Sequence, residues 1–303
     1  MRVATPVVVF LVALGVSGSA RAVTEPPPDP IRRGLYEWMG LAPIVVAGDV
    51  VSDDGKLTQI VVREAIKGAA APGTTLLIDV RGANRDRDPG VKPLRFDRTV
   101  GYLLLLKAAP RTSDPSHPTF ELVRGVQGAR PLPAEGRPAT LDAARKLAAL
   151  QERNDDELLW SSLPAFLEDD NPVLVDATLD LFVKFRRGDA TLVPVLEPLL
   201  DHPNPDVRDR SILLLGRILA RLGPADLAER SVVVGEITSR ARRDDDPRVR
   251  RTATAALAAL PDAGIDEALR AIARDDPDQD VRFEAERAVY ERGLAGGRRG
   301  RSD

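Results

Sequence analysis

The chain contains no cysteine, which excludes a disulfide framework and a lipid-modified cysteine following a leader. It has only two histidines: His117 in the turn-rich "TSDPSHP" and His202 in "DHPNPD". With no H-E-x-x-H and no Gly-rich phosphate loop, the usual triads, zinc sites and nucleotide cradles lack their parts. Aromatic residues make up only 4%, so a core must come mainly from Leu, Val, Ile and Ala, which favours stacked helices. There is no basic excess either: 43 Lys and Arg stand against 46 Asp and Glu, a net charge of −3. That balance argues against nucleic acid as a partner.

What is present suits a folded chain of two domains: 303 residues, 43% hydrophobic and 29% charged. Arg2, the apolar run Val7–Leu14 and the small residues of Ala20-Arg21-Ala22 read as a signal peptide over 1–22, cut after Ala22. The run is shorter than the ~20 residues that span a bilayer, so an uncleaved anchor is the lesser reading. The expected location is periplasmic or secreted, in a bacterium judging by the Arg, Ala and Pro content. Residues 23–34, with "EPPPDP", are an extended spacer.

Over 35–127 the pattern is of strands. "IVVAGDVV" (44–51) and "LTQIVVREAI" (57–66) flank the hairpin signal Asp54-Gly55, and "TTLLIDV", "TVGYLLLLK" and "FELVRGV" follow. Five short strands without a helix-period segment predict a small antiparallel barrel or sandwich. A V-x-G-x-V strand, one ending in v-x-x-x-x-K-G and a Y-L-L-x-L strand resemble an extracytoplasmic β-module, similar to OB-like and tissue-inhibitor-of-metalloproteinase-like barrels. The resemblance implies a fold and no catalytic residue. Asp86 and Asp88 in "NRDRDPG" alternate as calcium ligands do, but no distal Glu completes a loop, so no metal is assigned.

"GARPLPAEGRPA", 128–139, reads as a linker, and Thr140 as the cap of "LDAARKLAALQ". From 140 to 293 the chain reads as helices, with a flexible tail over 294–303. Four segments align: "NPVLVDATLDLF" (171–182), "NPDVRDRSILLL" (204–215), "DPRVRRTATAAL" (246–257) and "DQDVRFEAERAV" (278–289). Their anchors are Leu174, Val207, Val249 and Val281, and apolar or small residues recur four, seven and eight positions on, the stripe of one helix face. Asn171, Asn204, Asp246 and Asp278 are then helix N-caps, three of them followed by Pro at the first helical position. The acidic run Asp244-Asp245-Asp246 is therefore punctuation, not a metal site. Arg208, Arg250 and Arg282 each follow an anchor on the flank facing a neighbouring repeat, where they can pair with its acids as a ladder. Val175 takes that place in the first repeat, as expected for an end repeat.

The D-x-x-V-R-x-x-A-x-x-A-L pattern resembles HEAT repeats, particularly the short phycobilisome-lyase-like kind, over about 155–293. It implies partner helices near 156–168, 189–200, 224–242 and 264–274, hence an α+β fold of β-barrel followed by α-solenoid. A solenoid binds on its concave face. Counting from the anchors places Asp180, Asp209, Leu213, Arg251, Phe283, Arg287 and Tyr290 there, with Asp176 and Gly216. The expectation is a non-enzymatic module binding a protein or peptide, without cofactor or metal, nucleic acid or membrane span after cleavage. The alternative is an extracytoplasmic enzyme or inhibitor-like β domain that uses the repeats as a dock. The sequence leaves open whether the two domains touch.

Overall fold

The computed structural model describes residues 34–85, 92–109, 119–222, 230–262 and 264–299. The proposed signal peptide, most of the spacer, Asp86, Asp88 and His117 lie outside them. The first part comprises α1 (Leu35–Leu41), β1 (Ile44–Asp53), β2 (Leu57–Lys67), β3 (Thr75–Asp79), α2 (Arg81–Arg85), β4 (Gly101–Ala108), β5 (Thr119–Leu122) and β6 (Ala129–Leu132). The second comprises α3 (Arg137–Arg153), α4 (Asp156–Leu167), α5 (Pro172–Lys184), α6 (Val193–Leu196), α7 (Pro205–Arg221), α8 (Arg230–Arg243), α9 (Pro247–Ala258), α10 (Ile265–Asp275) and α11 (Gln279–Arg299).

Five strands close a barrel in the order β1-β2-β3-β5-β4, with β4 returning to β1 (Ile44 opposite Leu106, Asp49 opposite Gly101). All neighbours are antiparallel except β3 and β5. The β1–β2 turn follows from Asp54-Gly55: Gly55 has φ +80°, and the Asp54 carboxylate accepts the Lys56 and Leu57 amides at 2.7 Å. At Gly48 a Cβ would lie 2.4 Å from the Ile60 side chain, so β1 and β2 approach as closely as they do only with glycine there.

The run "YLLLL" in β4 is continuous because both its faces are covered. Tyr102, Leu104 and Leu106 point into the barrel with Val46, Ile60 and Ile78. Leu103 and Leu105 point outward into a second core, shared with α1, α3 and α5 through Met39, Leu147 and Leu174. Arg145 of α3 reinforces the junction with a forked bond to Glu64 of β2 at 2.5 and 2.8 Å. The barrel and the helices therefore pack directly through a shared core. A third core runs from α4 to α11.

Several expectations change at this junction. The segment 128–139 is not a free linker: Ala129–Leu132 form β6, paired to β4 (Leu132 opposite Gly101), and Pro131 is accommodated because β6 has only that one neighbour. Thr140 is not a cap. Helix α3 starts three residues earlier, with Pro138 in its first turn, and the Thr140 hydroxyl donates to the Gly136 carbonyl at 3.1 Å. Residues 35–41 form a helix whose Leu35, Trp38 and Met39 are buried. The helix expected over 189–200 is broken into α6 between two 3-10 turns, with Pro194 and Pro198 interrupting the amide ladder. Helix α11 continues beyond Gly293 to Arg299, through part of the expected tail.

Candidate interaction surface

The punctuation reading is local chemistry, and the helices carry it. Asn171 accepts from the Val173 and Leu174 amides, Asn204 from Asp206, Asp246 from Arg248, and Asp278 from Asp280 and Val281. All four anchors are buried, as are Thr178, Ser211, Ala253 and Ala285 one turn on.

The arginines form the expected ladder in a specific way. Arg208 directs Nε and Nη2 onto the two oxygens of Asp244 at 2.8 and 2.7 Å, while Nη1 donates to the His202 and Pro203 carbonyls at 2.8 and 3.2 Å. Arg250 repeats this with Asp276 at 2.9 and 3.0 Å and with the Asp244 carbonyl at 2.9 Å. Each acceptor stands two residues before the next cap and also takes that cap's amide, Asp246 onto Asp244 and Asp278 onto Asp276. With Asp244 and Asp276 nearly inaccessible, these are paired and fully bonded charges, which offsets the cost of burying them.

The same frame accounts for His202 and Val175. In the second repeat the position before the cap holds His202, whose Nδ1 accepts the Asn204 amide at 3.1 Å. The residue that would face it from the first repeat is Val175, buried in the helical core. Val175 thus marks a rung in which both arginine and aspartate are replaced. It does not mark the array's outer end. That end is held by Lys146 of α3, bonded at 2.6 Å to Asp169, which caps the Asn171 amide.

Exposure divides the expected concave residues. Asp180 lies against Gly34 at the start of α1 and 3.7 Å from Arg210, and burial raises its pKa. Burial likewise raises Asp176, which pairs with Arg210, and Asp209, which bonds Thr252. Gly216 is buried, where a Cβ would meet that of Ala256 at 2.7 Å, so it is a packing residue between α7 and α9. Leu213 is half-buried, and Arg287 is half-buried and bonded to Glu284. Arg251, Phe283 and Tyr290 are exposed. Nothing in the sequence around Asp180 points to the start of α1, which approaches it from well over a hundred residues away.

A cavity of about 230 Å³ at the barrel–helix junction is lined by Tyr36, Gly40, Lys67, Gln151 and Asp156 among others. Burial lowers the Lys67 pKa, and its ammonium already donates to the Met39 carbonyl at 2.9 Å and Gln151 at 3.3 Å. Lys67 and Gln151 thus tie α1 and α3 to β2. Among the described residues no acid–histidine group could hold a metal ion, and no helix is long and apolar enough to cross a membrane.

A family model for HEAT repeats matches residues 193–289. A solved structure of a designed armadillo repeat protein aligns at 17% identity and a TM-score of 0.36, covering 51% of this chain and 74% of that one. Comparison with curated proteins gave no match. The helical part is a HEAT-like repeat solenoid.

Proposed function

We propose that this solenoid is the binding part of an exported protein-interaction module, which takes a protein or peptide partner at its C-terminal end. One observation carries the reading. Phe283 and Tyr290 are 65% and 68% exposed, more than any other large apolar side chain among the described residues. They stand seven residues apart on one face of α11, in a chain with very few aromatics to spare. Aromatics and arginine dominate binding hot spots, and Arg287 lies between the two. The anchor stripe of α11 is separate, so Phe283→Ala with Tyr290→Ala should leave circular dichroism unchanged and abolish binding of whatever partner co-purifies. A variant that keeps its partner refutes the reading. Export is tested by N-terminal sequencing of the protein from the native envelope: a start at Val23 supports it, and cytosolic protein starting at Met1 overturns it.

A second reading places the working surface on the barrel. It is supported by the closure of the barrel, β4 returning to β1, which gives the β part a folded surface of its own. Val51 and Leu57, exposed beside the β1–β2 turn, are its natural contact points. Loss of the partner in Val51→Ser with Leu57→Ser, and not in the aromatic variant, favours this second reading.

A further inference from the structure

The repeats serve as one another's comparison. Three positions on each second helix, counted one, five and eight past the anchor, face the following repeat. In α5 they are Val175, Leu179 and Phe182, and in α9 Arg250, Thr254 and Leu257, all buried. In α7, Ile212 and Leu215 are buried beside the paired Arg208. In α11 the same positions are Arg282, Glu286 and Val289, and none is buried: Glu286 is exposed and the other two are half-covered. Arg282 is nonetheless set as its counterparts are. Its Nη1 donates to the Asp276 and Pro277 carbonyls at 2.8 and 3.1 Å, the tie that Arg208 and Arg250 make at their own corners. That tie holds the Nε–Nη2 edge in the orientation which, in the two preceding repeats, forks a carboxylate at 2.7 to 3.0 Å. Among the described residues no carboxylate meets it.

We infer that Arg282 is a preorganised carboxylate receptor, the open last rung of the ladder, and that it takes an aspartate or glutamate from a partner protein. Restraining the guanidinium in advance removes part of the ordering cost of binding, and a forked charge-assisted pair fixes the partner's register. Glu286 defines the partner further. An additional repeat of the same kind, or a second copy stacked end to end, would press an apolar or uncharged flank on Glu286, where α7 and α9 offer Ile212 and Thr254. A buried, unpaired carboxylate forbids that. The charge pattern fits a segment presenting an acid to Arg282 and, about one helical turn on, a lysine or arginine to Glu286, with Val289 supplying apolar contact. This inference rests on the reading of the solenoid as an interaction module, and it names the chemistry of what that module receives.

The test uses the full chain and a labelled synthetic helical peptide of alanine and glutamine that carries one aspartate, a lysine four residues on and a leucine beside them. Its acid and base stand one helical turn apart, the spacing at which Arg282 and Glu286 stand on α11. Fluorescence anisotropy should show binding that weakens about tenfold when the peptide's aspartate is replaced by asparagine, and about tenfold when the protein carries Arg282→Gln. Combining the two changes should weaken it little further, since both remove one interaction. The peptide change leaves the protein's own fold untouched, so that arm decides the matter even where Arg282→Gln unfolds. No binding, or equal binding by both peptides, overturns the inference, as does binding that ignores Arg282. A natural partner retained by Arg282→Gln and lost by the Phe283 and Tyr290 double variant shows that the interaction reading stands while the carboxylate rung fails.

Discussion

At its first end the helical array is closed by α1, α3 and the outer face of the barrel, which together bury Leu174 and seat Asp180 beneath Gly34. At its last end α11 leaves Glu286 exposed and Arg282 and Val289 half-covered, at positions that are buried or ion-paired in the earlier repeats. Repeat arrays are commonly finished with polar helices at both ends. Here one end is sealed by a different fold, and the other mixes an oriented arginine, a free glutamate and two bare aromatics. The contrast teaches that identical sequence positions acquire their role from the neighbour. Val207 and Val281 do the same work in α7 and α11, but Arg208 and Arg282 do not.

The contrast is broken most forcefully by placing one new charge at each end. Leu105→Asp, in the core shared by β4 with α1 and α3, should cost about 3 kcal/mol or more, and it should lower the barrel and helix transitions together. Val289→Asp, the same change in kind at the open end, should cost about 1 kcal/mol or less. Chemical denaturation followed by helical circular dichroism and by the fluorescence of Trp38 and Trp160 measures both. Equal losses would mean that the last flank is covered after all.

A smaller and sharper comparison lies along the ladder. Arg250→Gln strands Asp276, which is buried, and should cost about 3 kcal/mol. Arg282→Gln loses only bonds to carbonyls and should cost about 1 kcal/mol. Arg251→Ala, an exposed residue adjacent in sequence to Arg250, should stay within about 0.5 kcal/mol. The order Arg250, Arg282, Arg251 in a denaturation series is the expected result, and a reversal of the first two would deny that the last rung is open.

The smallest effect is one of pH. Asp176, Asp180 and Asp209 all lie towards the closed end, and burial raises the pKa of each. The folded state then holds these protons more tightly than the unfolded chain does. Their contribution improves as pH falls from neutrality through the folded values and levels off below the ordinary carboxylate range. Asp246, whose pKa is lowered by its bonds to Arg248, behaves oppositely: its stabilisation is present above the ordinary value and lost as pH falls through the folded one. Asp209→Asn should therefore flatten part of the rise in Tm on mild acidification, by about 2 °C or less. An unchanged profile would show that Asp209 is better solvated than its surroundings imply.

How far these features could be read in advance follows from the range of the forces involved. Caps and stripes depend on residues within two turns, so Asn171, Asn204, Asp246 and Asp278 announced α5, α7, α9 and α11. The alternation of β2 and the Asp54-Gly55 turn were legible for the same reason. Strand β6 was not, because Gly128, Pro131 and Pro133 carry the composition of a linker, and only β4 makes a strand of it. Helix α1 is too short to show a period, and its burial comes from α3 and α5. The ladder acceptors had a signal that went unused: aspartate recurs two residues before the cap at Asp169, Asp244 and Asp276, and His202 fills the remaining place. The exposure of the proposed binding residues had no such signal, since an offset from an anchor names a side of a helix and not what lies over it.

The core shared by β4, α1, α3 and α5 also gives disassembly a direction. In a chain of nearest-neighbour repeats, opening starts where an element has one neighbour fewest and travels inward. The barrel removes that weakness from the first end, so α11 is the element with least to lose, followed by α10 and α9. Amide hydrogen exchange should therefore be graded along the array, slowest in β4 and α5 and fastest in α11. A protein that unzips from one end only can open its last helix without surrendering its barrel.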